Sequence, residues 1–387
     1  MEICVEEDKV DVEEIILGQF GGGLEISAKK EIPEHVMEII LAQIPLDSVA
    51  RFCTVCKDWN ALLSSPKFFD LRNQISNNHP WLIISYDDRC LSYNFSARRW
   101  KILNFKPHGP HKYEASSGGL LLLRFLGRRE FRVCNPLKPG INKHVNTFSC
   151  THLVSGIVRE KESCKVVITY GNTSLTTIHT KISVYDPLEN SRVYAGYLTD
   201  CHVLEPIVFS KGMFFFLSYE PRLGVRVYSL HDDDDDRDMC LGFVPLPLNL
   251  KLNVDRTLGN YDATNCGLAV CGSRVIVATP KTKQGKGIRV WELEFDKSTA
   301  VSSWRRIATM PPSMYKHFNS RSWNWDFKLN GVGNYLCFIS SQNFLTHVIV
   351  YNLEQDSWDW LPQHRPEFIP LKKIGRFKTF AFEPRTF

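Results

Sequence analysis

Cys53-Thr54-Val55-Cys56 has the CxxC spacing with which two thiolates hold a metal or cycle a disulfide. A zinc site of that kind needs a second pair, and none follows at a suitable distance. Cys266, Cys271 and the Cys150/His152 pair likewise read as packed thiols and loop residues. The run Asp232 to Asp236 with Asp238 has charge enough for a cation or a basic peptide. It lacks the alternating ligand positions and distal glutamate of a calcium loop, and consecutive like charges mark a solvated loop. Gly285-Lys286-Gly287 lacks the rest of a phosphate loop, and neither a Gly-x-Ser-x-Gly elbow nor a His-Glu-x-x-His helix is present. Asn94-Phe95-Ser96 and Asn172-Thr173-Ser174 fit the glycan-acceptor pattern, which matters only in a secreted chain. The expectation is a chain with no catalytic residue, no metal and no cofactor.

The informative residues are apolar ones at helical spacing. From Pro33, whose missing N–H suits a helix start, Val36, Ile39, Ile40 and Ile44 follow one helical stripe, and Pro45 closes it. Asp47 or Ser48 can cap a second helix with Val49, Phe52, Cys53 and Cys56 on its apolar side. Trp59, Leu62 and Leu63 continue the pattern to Pro66. Three short amphipathic pieces within about forty residues make a marginal core, and surplus apolar surface on such a unit is buried by another chain.

The ordered series Pro33, Leu41, Pro45, Val55, Cys56, Lys57, Trp59 and Pro66 resembles an F-box. Ile32 stands where that family usually has leucine, and His35 where an acidic residue is common. The resemblance implies docking on a Skp-type adaptor and, through it, on a cullin and a RING subunit. It carries over Ile32, Pro33, Val36, Ile39, Ile40, Pro45, Leu46, Val49, Val55, Trp59 and Leu62 as adaptor contacts, some of which must face the module's own core.

At 387 residues the chain has room for a small module and one large body. No apolar run approaches a membrane span, and the acidic start MEICVEEDKVDVEE is unlike a secretory signal. Twelve cysteines then belong to a reducing compartment, cytoplasmic or nuclear. The net charge of +5 hides an asymmetry: residues 1 to 30 carry eight acidic side chains against three lysines, while the last quarter is the most basic part. No nucleic-acid motif accompanies those basic residues, so no nucleic acid and no membrane is expected as partner.

From Trp81 the grammar becomes β: short branched and aromatic runs bounded by Gly, Pro, Asn and Asp. A unit recurs in SYNFSARRWKIL, SVYDPLENSRVYAG, RVWELEFDKSTAVSSWRRIATMPP and IVYNLEQDSWDWLP, where Tyr93 precedes Trp100, Tyr185 precedes Tyr194, Trp291 precedes Trp304 and Tyr351 precedes Trp358. Glycine-led strands recur at Gly118-Gly119, Gly212, Gly267 and Gly331. This body resembles a degenerate kelch propeller, with the F-box-associated β domain as the alternative. After residue 80, 387 − 80 = 307 residues remain, enough at roughly 45 to 50 per blade for six or seven blades. Phe377 to Phe382 is too short for a blade and can pair with the strands after Pro80 to close the ring.

The expected architecture is therefore α+β and multidomain: an acidic leader at 1–30, a three-helix F-box module at 31–76 and an all-β kelch-like propeller at 81–387. The whole resembles the plant F-box/kelch-repeat proteins. That resemblance implies a non-catalytic substrate receptor of a Skp-cullin-F-box ubiquitin ligase, presenting an unknown protein substrate for ubiquitination and degradation. Arg321, Trp323 and Trp325 are the candidate substrate contacts on a propeller rim. Two other readings stay open: a propeller that binds or transforms a small molecule or glycan, and a scaffold that recruits a partner without degrading it.

Overall fold

The structure, a computed structural model, describes residues 32–44, 49, 52–65, 67–68 and 71–72, and between residues 80 and 383 the elements named below with most of the turns inside each sheet. The chain divides into two compact units, Met1–Ile75 and Ser76–Phe387.

The first unit is helical. Helix α1, Glu34–Gln43, begins after Pro33. Its C-terminal carbonyl at Ala42 accepts a 3.2 Å bond from the buried Arg72 guanidinium, a cation placed where the helix dipole favours one. A helical turn follows, with the Cys53 N–H bonded to the Val49 carbonyl at 2.9 Å. Helix α2, Lys57–Leu63, starts at Cys56, whose Sγ accepts the Trp59 N–H at 3.4 Å. Cys56 is thus an exposed cap on α2 rather than a member of the preceding apolar stripe, because its backbone is extended and cannot continue a helix. Ser65 Oγ accepts the Phe68 N–H at 3.1 Å and opens the last helical piece. Leu41, Ala42, Val49, Leu63 and Phe68 form the core, with Met37, Phe52, Trp59 and Leu62 packed against it. Asp47 and Ser48 lie outside the described residues.

The second unit holds six four-stranded antiparallel sheets. Blade 1 contains β1 Trp81–Tyr86, β2 Arg89–Asn94 and β3 Arg99–Leu103; blade 2, β4 His111–Ser117, β5 Leu120–Phe125, β6 Glu130–Cys134 and β7 Asn142–Asn146. Blade 3 runs through β8 Val154–Glu160, β9 Ser163–Thr173, β10 Ile178–Asp186 and β11 Ser191–Thr199. Blade 4 runs through β12 His202–Ser210, β13 Met213–Glu220, β14 Arg222–Ser229 and β15 Cys240–Pro245. Blade 5 has β16 Gly267–Cys271, β17 Arg274–Pro280, β18 Ile288–Phe295 and β19 Ser302–Thr309, followed by α3, Pro312–Phe318. Blade 6 has β20 Phe327–Val332, β21 Tyr335–Ser340, β22 Val348–Asn352 and β23 Ser357–Trp360. The last strand, β24 Lys378–Phe382, completes blade 1 by pairing with β1 from Trp81↔Phe382 to Ser85↔Lys378. The expected closure by the C-terminal strand is found, and the choice between six and seven blades resolves to six.

The first strand of each blade meets its neighbours around a ring, β4, β8, β12, β16, β20 and β24. Cores therefore lie between blades rather than within them. Leu121 and Leu123 face blade 1 while Leu120 and Leu122 face blade 3. A strand buried on both faces reads as a continuous apolar run, as in Leu120 to Leu123, Phe214 to Leu217, Val275 to Ala278 and Leu336 to Ile339. The outermost strands are exposed on one side and mix charge with aromatics, so their sequence does not stand out.

The recurring unit is the hairpin of the last two strands of a blade. Tyr93 faces Trp100 and Tyr351 faces Trp358 across the ladder, with ring centroids 5.0 and 4.7 Å apart. In blades 3 and 5 the two aromatics are not opposite each other: Tyr194 faces Val184 and Trp304 faces Leu293, and each hairpin carries a bulge. Asn94, Asp186 and Asn352 each accept two backbone N–H groups from the turn that follows them, three copies of one Asx turn. Outer-strand tryptophans then tie blades together: Trp100 Nε1 donates to the Pro362 carbonyl at 2.6 Å and Trp304 Nε1 to the Pro245 carbonyl at 2.8 Å. Gly331 is required by close approach, since a Cβ there would collide with the Val270 backbone of blade 5. Gly118 and Gly119 serve a different need, both standing at positive φ in a two-residue turn.

Candidate functional site

Helix α1 is apolar on two sides. Met37 and Leu41, four residues apart, point to the module core, with Ala42 beside them. Val36, Ile39 and Ile40 are spaced three and four apart and so share a different face. On it Val36 is half-buried, while Ile39 and Ile40 are 40% and 48% exposed. Ile32, just before the helix, and Val55, just before the cap of α2, are 54% and 61% exposed. Among the described residues these four make up most of the exposed large apolar side chains, the others being Ile102 and Val193 on outer strands and Leu188 in a turn of blade 3.

The eleven residues carried over from the resemblance separate accordingly. Ile32, Pro33, Ile39, Ile40 and Val55 are exposed, and Val36 is half-buried. Val49 is buried in the module's own core. Trp59 and Leu62 are half-buried against that core, and Trp59 stacks on Phe52 at 5.6 Å between centroids. Pro45 and Leu46 lie outside the described residues, as do Arg321, Trp323 and Trp325, the acidic leader and the Asp232 to Asp236 run. Exposure of a hydrophobic side chain depends on which way its helix faces, and the sequence alone did not sort these residues.

No group of three or more His, Cys, Asp or Glu side chains suited to a metal occurs among the described residues. Cys53 is half-buried and Cys56 exposed. Burial pushes the Cys266 and Cys271 thiols up to about 12, so neither supplies a thiolate at neutral pH. No helix among the described residues is long and apolar enough to cross a membrane.

An ion-pair network lies on blade 5. Arg274 binds Glu292 through two parallel bonds of 2.8 and 2.9 Å, and Arg305 bridges Glu292 and Glu294. Burial alone would raise the Glu292 carboxyl, but Arg274 and then Arg305 outweigh it and the pKa falls below its ordinary value. This network joins residues far apart in the chain through sheet register, and nothing local in the sequence signalled it.

Comparison with known proteins places these features in a family. The family model of the F-box domain matches residues 30–71. F-box only protein 13 of Arabidopsis thaliana is 31% identical over 402 residues, covering 92% of this chain and 84% of its own. F-box only protein 6 of the same plant is 23% identical over 371 residues, covering 89% of this chain and 72% of its own. An Arabidopsis F-box/kelch-repeat protein is 32% identical over 73 residues, 18% of each chain.

Proposed function

This chain belongs to the F-box protein family, and from that premise we propose that it is the substrate receptor of a Skp-cullin-F-box ubiquitin ligase. The helical unit docks on a Skp-type adaptor, and the propeller presents a target protein for ubiquitination and proteasomal degradation. The observation that carries this reading is the second apolar face of α1, with Ile39 and Ile40 left exposed beside Ile32 and Val55. Hydrophobic surface of this kind on so small a unit fits a buried interface with another chain.

The proposed contacts are Ile32, Pro33, Val36, Ile39, Ile40 and Val55, with Pro45 and Leu46 carried over by resemblance. Val49, Trp59 and Leu62 would support that face from behind. No bond is made or broken by this chain. Its contribution is proximity, which raises the effective concentration of substrate lysines near the charged conjugating enzyme. A cytoplasmic or nuclear site of action goes with that assembly.

The test is co-purification of the full chain with a Skp-type adaptor and a cullin, followed by ubiquitin transfer to a trapped target. The expected result is a stable ternary complex. A folded chain that never captures the adaptor would overturn the assignment.

A further inference from the structure

Around the ring the first strands run side by side in one direction. Glu114 meets Lys378 and Ser116 meets the Ala381 carbonyl between β4 and β24, while Gly267 lies against Leu329 and Gly331 against Val270 between β16 and β20. First and third strands therefore begin, and second and fourth strands end, at one face. Three consecutive first strands open with a lysine there: Lys328 second in β20, Lys378 first in β24 and Lys112 second in β4. Arg124, next to last in β5, and Arg289, second in β18, add to them. Helix α3, in the connection from blade 5 to blade 6, adds the exposed Lys316.

The described carboxylates at this face are Glu114 and Glu130, and both are engaged. Glu114 is the extra residue of a bulge in β4, with its side chain 2% exposed. Its Oε1 accepts Arg124 Nε at 2.8 Å, and its Oε2 accepts the Lys378 ammonium. Glu130 Oε1 accepts Arg132 Nε at 2.5 Å and lies 2.6 Å from His144 Nδ1. Six cations thus stand against two carboxylates, each already shared by two basic groups. Arg124 uses only Nε on Glu114, and its two Nη groups, which can only donate, find no acceptor among the described residues. The opposite face mixes signs in its turns, with Glu189, Glu354 and Asp356 against Arg98 and Lys211.

We propose that the mouth of the ring at this face docks an acidic segment of the target protein, a run of carboxylates along an extended chain. The proposal rests on the receptor reading above and names the chemistry its propeller would select. Charge complementarity carries it: cations spread over neighbouring first strands match carboxylates spread along a peptide better than one concentrated anion. The bulged Glu114 holds Arg124 and Lys378 in place before the segment arrives, so fewer side chains must be ordered on binding. Single-stranded nucleic acid uses exposed aromatics to stack its bases, and among the described residues no aromatic side chain is exposed, which sets a peptide ahead of it.

The experiment titrates the full chain into two labelled glycine-serine peptides, one with interspersed glutamates and one with glutamines in their place, and reads fluorescence anisotropy. Tighter binding of the glutamate peptide, weakening as salt is added, supports the proposal. Lys112→Gln with Lys328→Gln removes two surface charges and leaves the Glu114 ion pairs intact. It should weaken glutamate-peptide binding by about fivefold at low salt, the worth of two exposed ion pairs. Lys211→Asn removes one cation from the opposite face, where asparagine suits the left-handed φ of 52°, and should bind as the wild type. Equal binding of the two peptides, unchanged affinity in the folded Lys112/Lys328 variant, an equal loss in Lys211→Asn, or tighter binding of a single-stranded oligonucleotide would each overturn it. Adaptor co-purification from the same preparations reads the receptor assignment separately, so the two failures are distinguishable.

Discussion

The helical unit and the propeller treat the same class of side chain in opposite ways. In the propeller, each of six interfaces is filled by apolar residues from two adjacent blades. Phe214, Phe216, Phe338 and Phe382 are wholly buried, and among described residues only Ile102, Leu188 and Val193 are large apolar side chains left exposed. The helical unit buries a handful of residues and leaves Ile32, Ile39, Ile40 and Val55 in solvent. One region satisfies itself by closing a ring, in which every blade packs its faces against two neighbours. The other leaves hydrophobic surface in solvent, as the proposed docking face requires.

The sharpest way to break the propeller half of this comparison is to open its ring. Phe382, fully buried on the closing strand, packs in the interface of blades 1 and 2 with Trp81, Phe380 and Leu121. Phe382→Ala should cost about 3–5 kcal/mol, read as a large drop in the propeller's melting temperature. A small shift would mean that the closing strand is dispensable. Next in size is a tie between blades. Trp304→Phe keeps the ring but deletes the bond to the Pro245 carbonyl, and should cost about 1 kcal/mol in denaturant titration.

A smaller effect appears only against pH. Glu292 has a folded pKa below its ordinary 4.5, so its ion pairs contribute their full stability above that value and lose it as pH falls through the lowered one. Arg305→Gln should therefore lower the melting temperature at neutral pH, with the gap to the wild type closing as the solution is acidified below the folded pKa. A gap that is independent of pH would show that Arg305 acts through packing instead.

The same contrast explains what the sequence disclosed. The middle strands of the blades were legible because burial on both faces demands unbroken apolar runs such as Phe214 to Leu217. The aromatic hairpins were legible because Tyr93, Tyr185 and Tyr351 each precede an Asn or Asp that builds the turn. The short strand ending at Phe382 was legible as a closing piece because it is too short to make a blade of its own, and it pairs with β1. Half-exposed outer strands such as Ser302–Thr309 are harder to read, since one wet face dilutes the apolar signal with arginine and serine. Ion pairs such as Arg274 with Glu292 depend on register between strands and left no local trace. In the helical unit the docking residues were named, but their separation into outward and inward sets waited on the packing. Trp59, carried over from the resemblance as an adaptor contact, stands half-buried on Phe52. Its replacement would test the fold of the module together with its binding.

The most direct measurement compares adaptor affinity across two matched surface changes in the full chain. Ile39→Asp with Ile40→Asp puts charge on the outward face of α1, and Ile102→Asp does the same to an exposed apolar residue of the propeller. The account predicts that the first loses at least about a hundredfold in affinity for a Skp-type adaptor, as removal of interface anchors does, while the second binds as the wild type and both stay folded. Equal affinity for the two, in folded proteins, would contradict the claim that the helical unit's exposed face exists to be covered by a partner.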